Sequence, residues 1–200
     1  MKYFIVGLHA SGKRAVADYL SERGVKCGKI YSNIPKGSDY IYNSKYYELF
    51  DSKDIYEIFE NNAYLFMQEI NHNMLDFSTE KYFEGLSKFE FDSNQVFVLS
   101  PDQLIQINPN NINDELCIVW MDNTESNRYT RYHNEQRLYN FKFRDNLELQ
   151  DMSTFVKAIY GFNNATNLYF TNEEPNRVAT IIYNTIIHPD TLDMFVKNFN

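Results

Sequence analysis

The chemistry of this chain starts near its beginning, in Gly7-Leu8-His9-Ala10-Ser11-Gly12-Lys13-Arg14. A glycine, four residues, then glycine and lysine is the spacing of a loop that closes on a phosphate. Gly7 and Gly12 permit backbone angles that other residues resist. The loop from Gly7 through His9, Ala10 and Ser11 can then turn its N–H groups inward at an anion. A helix starting near Gly12 adds its positive end, and Lys13 adds a mobile cation for the β and γ phosphates. Such loops usually follow the lysine with Ser or Thr, whose hydroxyl holds Mg2+. Arg14 stands there instead. The metal's ligand is then Ser11 or a water, or Arg14 replaces part of the metal's charge; the residues leave these open. A strand-to-helix turn with no ligand would also use these glycines. The apolar run before the loop and the helical spacing after it favour phosphate binding.

A second loaded stretch runs from Thr124 to Asp151 and carries Arg128, Arg131, Arg137, Lys142 and Arg144. Arg128 and Arg131 stand one helical turn apart, so their guanidiniums are expected on one face. Arginines in a mobile segment suit bidentate capture of a polyphosphate and can spread the charge that develops during phosphoryl transfer. Glu125, Glu135, Asp145 and Glu148 are interspersed, as in a solvated helical hairpin of ion pairs. The phosphate loop in the same chain tips the reading towards catalysis. His9, His72, His133 and His188 are scattered, with no pattern for a catalytic triad or a zinc site. For His9, inside the loop, lining the phosphate cup is the simplest role.

The elements that must hold these groups are partly legible. Tyr3 to Val6 is an apolar run of strand length, and Ala15, Val16, Tyr19 and Leu20 keep helical spacing up to a stop at Gly24. Val25–Tyr31 reads as a short strand, and Ser32–Tyr47 as loop and irregular strand rich in turn formers. Ser52 can cap a helix with Ile55, Ile58 and Phe59 on one face, and Ala63–Ile70 can form a strand. Asn71–Thr79 is a polar connection, and Tyr82–Ser87 leads into a turn. Gln95–Ser100, Glu115–Asp122 and Asn167–Asn172 read as strongly apolar strands. Continuous apolar strands separated by helical patterns imply an α/β fold with a central parallel sheet covered on both faces. Ligands of such sheets sit at the carboxyl ends of strands. That edge would carry the phosphate loop, Ser100–Gln103, Asp122–Thr124 and Asn172. The last helix is expected to be capped by Thr171 or Asn172, with Pro175 in its first turn and Pro189 ending it. The tail from Thr191 has apolar spacing for a short packed helix.

Composition sets outer limits. The chain has 200 residues, 44% of them hydrophobic, which suits one domain with insertions. A net charge of −8 argues against general nucleic-acid binding but leaves small phosphorylated ligands open. Cys27 and Cys117 sit in or beside apolar runs and read as buried thiols in a reducing compartment. No apolar run approaches the ~20 residues needed to span a bilayer. A weak signal-peptide look to MKYFIVGLHAS is interrupted by the glycines, His9 and Lys13, so a cytoplasmic location is expected.

In this order of parts the chain resembles the guanylate-kinase-like group of nucleoside-monophosphate kinases, in a divergent viral or phage form. The likeness is carried by the phosphate loop Gly7–Lys13, by FENNAYLFMQEI (Phe59–Ile70), by Tyr82-Phe83-x-Gly85-Leu86-Ser87, by the lid arginines Arg128, Arg131, Arg137 and Arg144, and by Asn172 ending the last strand beside an adenine pocket. The resemblance implies a three-layer P-loop kinase fold with core 1–31, 89–124 and 151–200, a monophosphate-binding insertion 32–88 and a lid 125–150. It implies ATP and Mg2+ as cofactors, small-molecule nucleotides as partners, and a monomer or homodimer. The acceptor site would fall on Ser32, Lys36, Glu69, Tyr82, Ser87 and Asp102, and the metal on Asp102 or Ser11. The group's arginines after the first insertion turn are missing, and Lys36 is the nearest cation. Its base-reading glutamate falls on Phe66, with Glu69 nearby, and its strand-end acid is displaced to Asp102. The acceptor base therefore stays open, pyrimidines included. The implied activity is ATP-dependent phosphoryl transfer to a nucleoside monophosphate. Arg14 and the displaced acid also suit a kinase-like module that grips a phosphorylated partner without catalysis, and a kinase acting on a modified base in DNA is a third option.

Overall fold

The computed structural model describes residues 1–8, 10–33, 45–50, 52–61, 63–70, 82–134, 160–162 and 165–197. In chain order the elements are β1 (Lys2–Gly7), α1 (Lys13–Glu22), β2 (Ile30–Ser32), β3 (Tyr47–Leu49), α2 (Ser52–Asn61), β4 (Tyr64–Ile70), β5 (Tyr82–Ser87), α3 (Lys88–Ser93), β6 (Val96–Leu99), α4 (Pro101–Gln106), β7 (Leu116–Asp122), α5 (Glu125–Asn134), β8 (Ala165–Thr171), α6 (Pro175–Ile187) and α7 (Leu192–Lys197). His9, Lys36, Arg137, Arg144, His72 and the polar connection Asn71–Thr79 lie outside the described residues.

The central sheet is parallel, in the order β6-β1-β7-β8. Its strands β1, β6 and β7 are apolar almost without interruption because both faces are covered, whereas edge strand β8 exposes Tyr169 and Thr171. Tyr3, Ile5, Cys117, Val119, Met121, Leu168 and Phe170 pack on one face against α1, α6 and α7. Phe4, Val6, Phe97, Leu99, Ile118 and Trp120 pack on the other, against Phe91 of α3, Leu104 of α4 and the second sheet. The phosphate loop leaves the middle of the sheet, so it emerges between the carboxyl ends of β6 and β7.

The second sheet is mixed, in the order β3-β2-β5-β4. Its inner face starts apolar with Ile30, Phe66 and Leu86, which join the core. Two residues further along β4 and β5 the same face turns polar, with Gln68 opposite Glu84. Tyr46 fixes this sheet to α1: it is buried, and its hydroxyl donates to Asp18 Oδ1 at 2.8 Å.

Three local expectations are corrected. Val25–Tyr31 is not one strand. Cys27 makes a single bridge to Val96, and the strand forms only at Ile30–Ser32. Gly28 passes so close to the Phe97 ring that a Cβ there would clash, and the chain then leaves the central sheet for the second one. Tyr82–Ser87 is a strand between β2 and β4, and it leads into helix α3 where a turn was expected. The last helix is capped at Glu174, because Asn172 adopts φ 55 and its N–H turns back to Asp122 O at 2.8 Å. Two further residues are needed before the helix starts at Pro175. Short helices α3 and α4 were not legible. Pro101, read as a strand end, also opens α4.

Candidate active site

The loop after β1 is curled. Ser11 N–H reaches back to Leu8 O at 3.2 Å, and Ala10 and Gly12 have φ of 58° and 96°. A left-handed alanine costs on the order of 1 kcal/mol and persists only where its surroundings hold it. Gly7 is required for a different reason: a Cβ would lie 2.5 Å from Met121 O and 2.7 Å from Ser11 Oγ. Helix α1 then begins with Gly12 as its cap, with no side chain capping it and no acid in its first turn. Its first-turn donors have no partner from the cap. Lys13 and Arg14 occupy that same first turn, where the helix dipole opposes a cation unless an anion is present. Lys13 Nζ donates to the loop carbonyls of Gly7 and Leu8.

Helix α5 meets the loop through its two arginines. Arg128 is buried at 3% exposure, and its Nε donates to Asn123 O at 3.2 Å. As their spacing predicts, Arg128 and Arg131 share one face of α5, the face turned to Asn123 and Ser11, with Arg128 the more deeply buried. Arg131 lies over the phosphate loop. Its Nη1 donates to Ser11 O at 2.7 Å. The same carbonyl accepts from Asn123 Nδ2 at 2.9 Å. Asn123 ends the turn after β7 and is 4% exposed; it was not singled out from the sequence.

A polar cluster fills the space between the second sheet and the carboxyl end of β6. Gln103 Nε2 donates to Glu84 Oε1 at 2.8 Å and to Tyr47 Oη at 3.1 Å. Gln68 Nε2 donates to the same Glu84 oxygen and to Asp102 Oδ2 at 3.2 Å. Gln103 itself is fixed by Ser100 N–H, which donates to its Oε1 at 2.9 Å. Burial and the Glu84 charge push the Tyr47 hydroxyl far above its ordinary range, while the positive charge of Arg14 offsets part of the rise. The Arg14 charge is therefore felt at the cluster. The amides of Gln68 and Gln103 thus tie two carboxylates and a phenol into one polar group.

Of the residues expected at the acceptor site, Asp102 joins this cluster. Ser32 is fully buried and its hydroxyl donates to Phe83 O at 3.1 Å, which is a role inside the sheet. Ser87 caps α3 by accepting from Glu90 N–H at 3.1 Å. Glu69 alternates to the exposed face of β4, away from Gln68. Tyr82 is buried at the start of β5, on the Glu84 face. Tyr47, Gln68 and Glu84 were missed, while Gln103 stood on the expected ligand edge without a role. The signal that was present is a polar residue at an inward position of a strand, as in Phe66-x-Gln68 and Glu84-x-Leu86.

Asn172 Oδ1 accepts from Thr124 N–H at 2.8 Å and from Asn127 Nδ2 at 3.1 Å, so this residue ties the end of β8 to the start of the lid helix. Ser11 Oγ is buried against Gly7 with no hydrogen-bond partner among the described residues. Among the described residues no group of three or more His, Cys, Asp or Glu can hold a metal. Asp102 bonds Gln68 and the Ser11 hydroxyl packs against Gly7, so neither belongs to such a group among the described residues. The two cysteines are free thiols. Burial pushes Cys27 up to about 11 and Cys117 up to about 12, so neither is a nucleophile near neutral pH. Among the described residues no helix is long and apolar enough to cross a membrane.

No protein-family model matches the chain, and no curated protein matches it in sequence. Among solved structures it is similar to a guanylate kinase from Anaplasma phagocytophilum, with a TM-score of 0.53 at 13% identity, over 94% of this chain and 85% of that one. At that identity the likeness is one of fold. The chain has a guanylate-kinase-like P-loop fold, an α/β architecture whose central parallel sheet of four strands is flanked by helices.

Proposed function

We propose that the chain is an ATP-dependent nucleoside-monophosphate kinase. It moves the γ-phosphoryl group of ATP to a phosphate oxygen of a nucleoside or deoxynucleoside monophosphate, leaving ADP and a nucleoside diphosphate. The observation that supports this most is the start of α1: a curled loop, a helix end with no side-chain cap and no acid in its first turn, and the two cations Lys13 and Arg14 in that turn. The chemistry needs no protein nucleophile. It needs two polyanions held in line, with reacting oxygens about 3–3.5 Å apart and water excluded. Lys13 and the loop amides hold the donor phosphates. Arg131, already at the loop, takes the charge of the transferred group, joined by Arg137 and Arg144 from the remainder of the lid. Mg2+ travels with the nucleotide's own oxygens, and no step is assigned to a protein ligand for it.

In this reading residues 1–31, 89–124 and 151–200 are the core, 32–88 grip the acceptor and 125–150 are the lid. The acceptor base sits at Tyr47, Gln68, Glu84, Asp102 and Gln103. Carboxylates accept hydrogen bonds, so they favour a base edge that donates. Guanine presents adjacent N1–H and N2–H2 donors; thymine and uracil present one N–H between two carbonyls, which face the carboxylates unfavourably. A divergent kinase of viral or phage type is consistent with the altered acceptor residues. The test is a panel of ribo- and deoxynucleoside monophosphates with Mg-ATP, read as ADP formed. GMP or dGMP is expected to exceed UMP and TMP by at least about tenfold in kcat/KM. Saturable Mg-ATP binding without ADP formation on any acceptor would contradict the kinase and point to a binding module.

A further inference from the structure

The phosphate loop is strained on both sides of one peptide carbonyl. Ala10 at φ 58 and Gly12 at φ 96 flank Ser11, whose oxygen points out of the loop. That oxygen receives two donors from outside, Asn123 Nδ2 at 2.9 Å and Arg131 Nη1 at 2.7 Å. The two donors differ in kind. Asn123 has a short side chain on the turn that ends β7, is buried, and has its own carbonyl held by Arg128 Nε at 3.2 Å. Only its amide nitrogen can meet a carbonyl, so its orientation is set. Asn123 Oδ1 and Ser11 Oγ are both buried without a hydrogen-bond partner, and the arrangement is retained despite leaving two polar atoms unsatisfied. Arg131 instead reaches the carbonyl from a long flexible side chain on the lid helix, and its Nη1 lies 3.0 Å from where a Cβ on Gly12 would be.

We propose that Asn123 is the fixed positioning residue of the phosphate loop and that Arg131 is an exchangeable one. In the empty protein both hold Ser11 O. When a phosphate enters, Arg131 transfers its guanidinium from the neutral carbonyl to the anion, a stronger charge-assisted partner, and Asn123 alone keeps the loop in shape. The lid helix thereby senses loop occupancy, because one of its own residues changes partner. The fixed half needs no nucleotide; the exchange half rests on the kinase reading.

Amide exchange measured residue by residue separates the two roles. In the empty protein, Asn123→Ala is expected to speed exchange at the amides of residues 10, 12 and 13 by about tenfold, with β1 and β7 unchanged. The near-isosteric Asn123→Asp, which loses the donor without opening a cavity, should do the same. Arg131→Ala should speed those amides only in the empty protein, by several-fold, and should match wild type once Mg-ADP is bound. Asn123→Ala should remain fast in both states. Wild-type rates in the loop of both Asn123 variants, or a rise shared equally by β1 and β7, would overturn the fixed anchor. Unchanged loop rates in empty Arg131→Ala, or a difference from wild type that persists with Mg-ADP bound, would overturn the exchange. If wild type does not bind Mg-ADP, the kinase reading and the exchange fall together, while the empty-protein comparison still decides Asn123.

Discussion

Glu84 is the residue whose surroundings most constrain the acceptor site. A buried carboxylate is stable only when donors surround it. Gln68 and Gln103 both donate to one of its oxygens. Replacing Glu84 by Gln removes the charge both amides are arranged around and turns an N–H donor towards part of the ligand edge. The expected outcome is a rise of roughly tenfold or more in KM for the monophosphate, with KM for ATP within about twofold of wild type. Steady-state kinetics with each substrate varied in turn checks this. An equal rise in both would place Glu84 in general stability instead of recognition. None of Tyr47, Gln68, Glu84 and Gln103 was legible as a group, because they come from three strands and a helix and meet only through strand pairing. Asp102 was legible because it follows the end of an apolar strand, where parallel sheets put their ligands.

At the level of elements, legibility follows burial. Edge strand β8 buries Leu168 and Phe170 and exposes Tyr169 and Thr171, while strands β1, β6 and β7 are hidden on both faces and read directly as apolar runs. β5 has the same standing in its own sheet, yet Glu84 interrupts its inward row, and its neighbours β2 and β4 are distant in sequence. Helices α3 and α4 span six residues each, too short for a periodic pattern to register. The strand-loop-helix unit was legible because its glycines have separate physical tasks. Gly7→Ala would drive a Cβ into the Met121 carbonyl and Ser11 Oγ, and is expected to destabilise by about 1–3 kcal/mol and to weaken nucleotide binding. Gly24→Ala has open space and only a left-handed φ of 83°, so a loss of about 1 kcal/mol with binding unchanged is expected. Urea unfolding with Mg-ADP titration of the two variants distinguishes a loop requirement from a generic turn requirement.

For the whole molecule, the buried acids of the core set an alkaline limit. The Cys27 and Cys117 thiols lie above their ordinary value of 9.0, at about 11 and about 12, because burial disfavours the thiolate. Tyr3, Tyr46, Tyr47 and Tyr64 are raised for the same first cause. The unfolded chain releases these protons first, so between pH 9.0 and about 11 the native state binds more protons than the unfolded one. Stability is therefore full below pH 9.0 and falls as pH rises through that window. At about pH 10.5 the Cys117 thiol alone accounts for a loss of about 2 kcal/mol, measurable as a lower urea midpoint than at neutral pH. An unchanged midpoint would mean that the thiols are not buried as described.

The phosphate loop, the lid helix and the polar cluster share one edge of one sheet, and the kinase account requires that Lys13 hold the transferred phosphate there. The direct measurement is phosphoryl transfer by Lys13→Ala, with ATP and the best acceptor from the monophosphate panel, beside its thermal unfolding. The account predicts a fall in kcat/KM of at least about a hundredfold with Tm within about 2 °C of wild type. Wild-type turnover in a folded Lys13→Ala protein would contradict it.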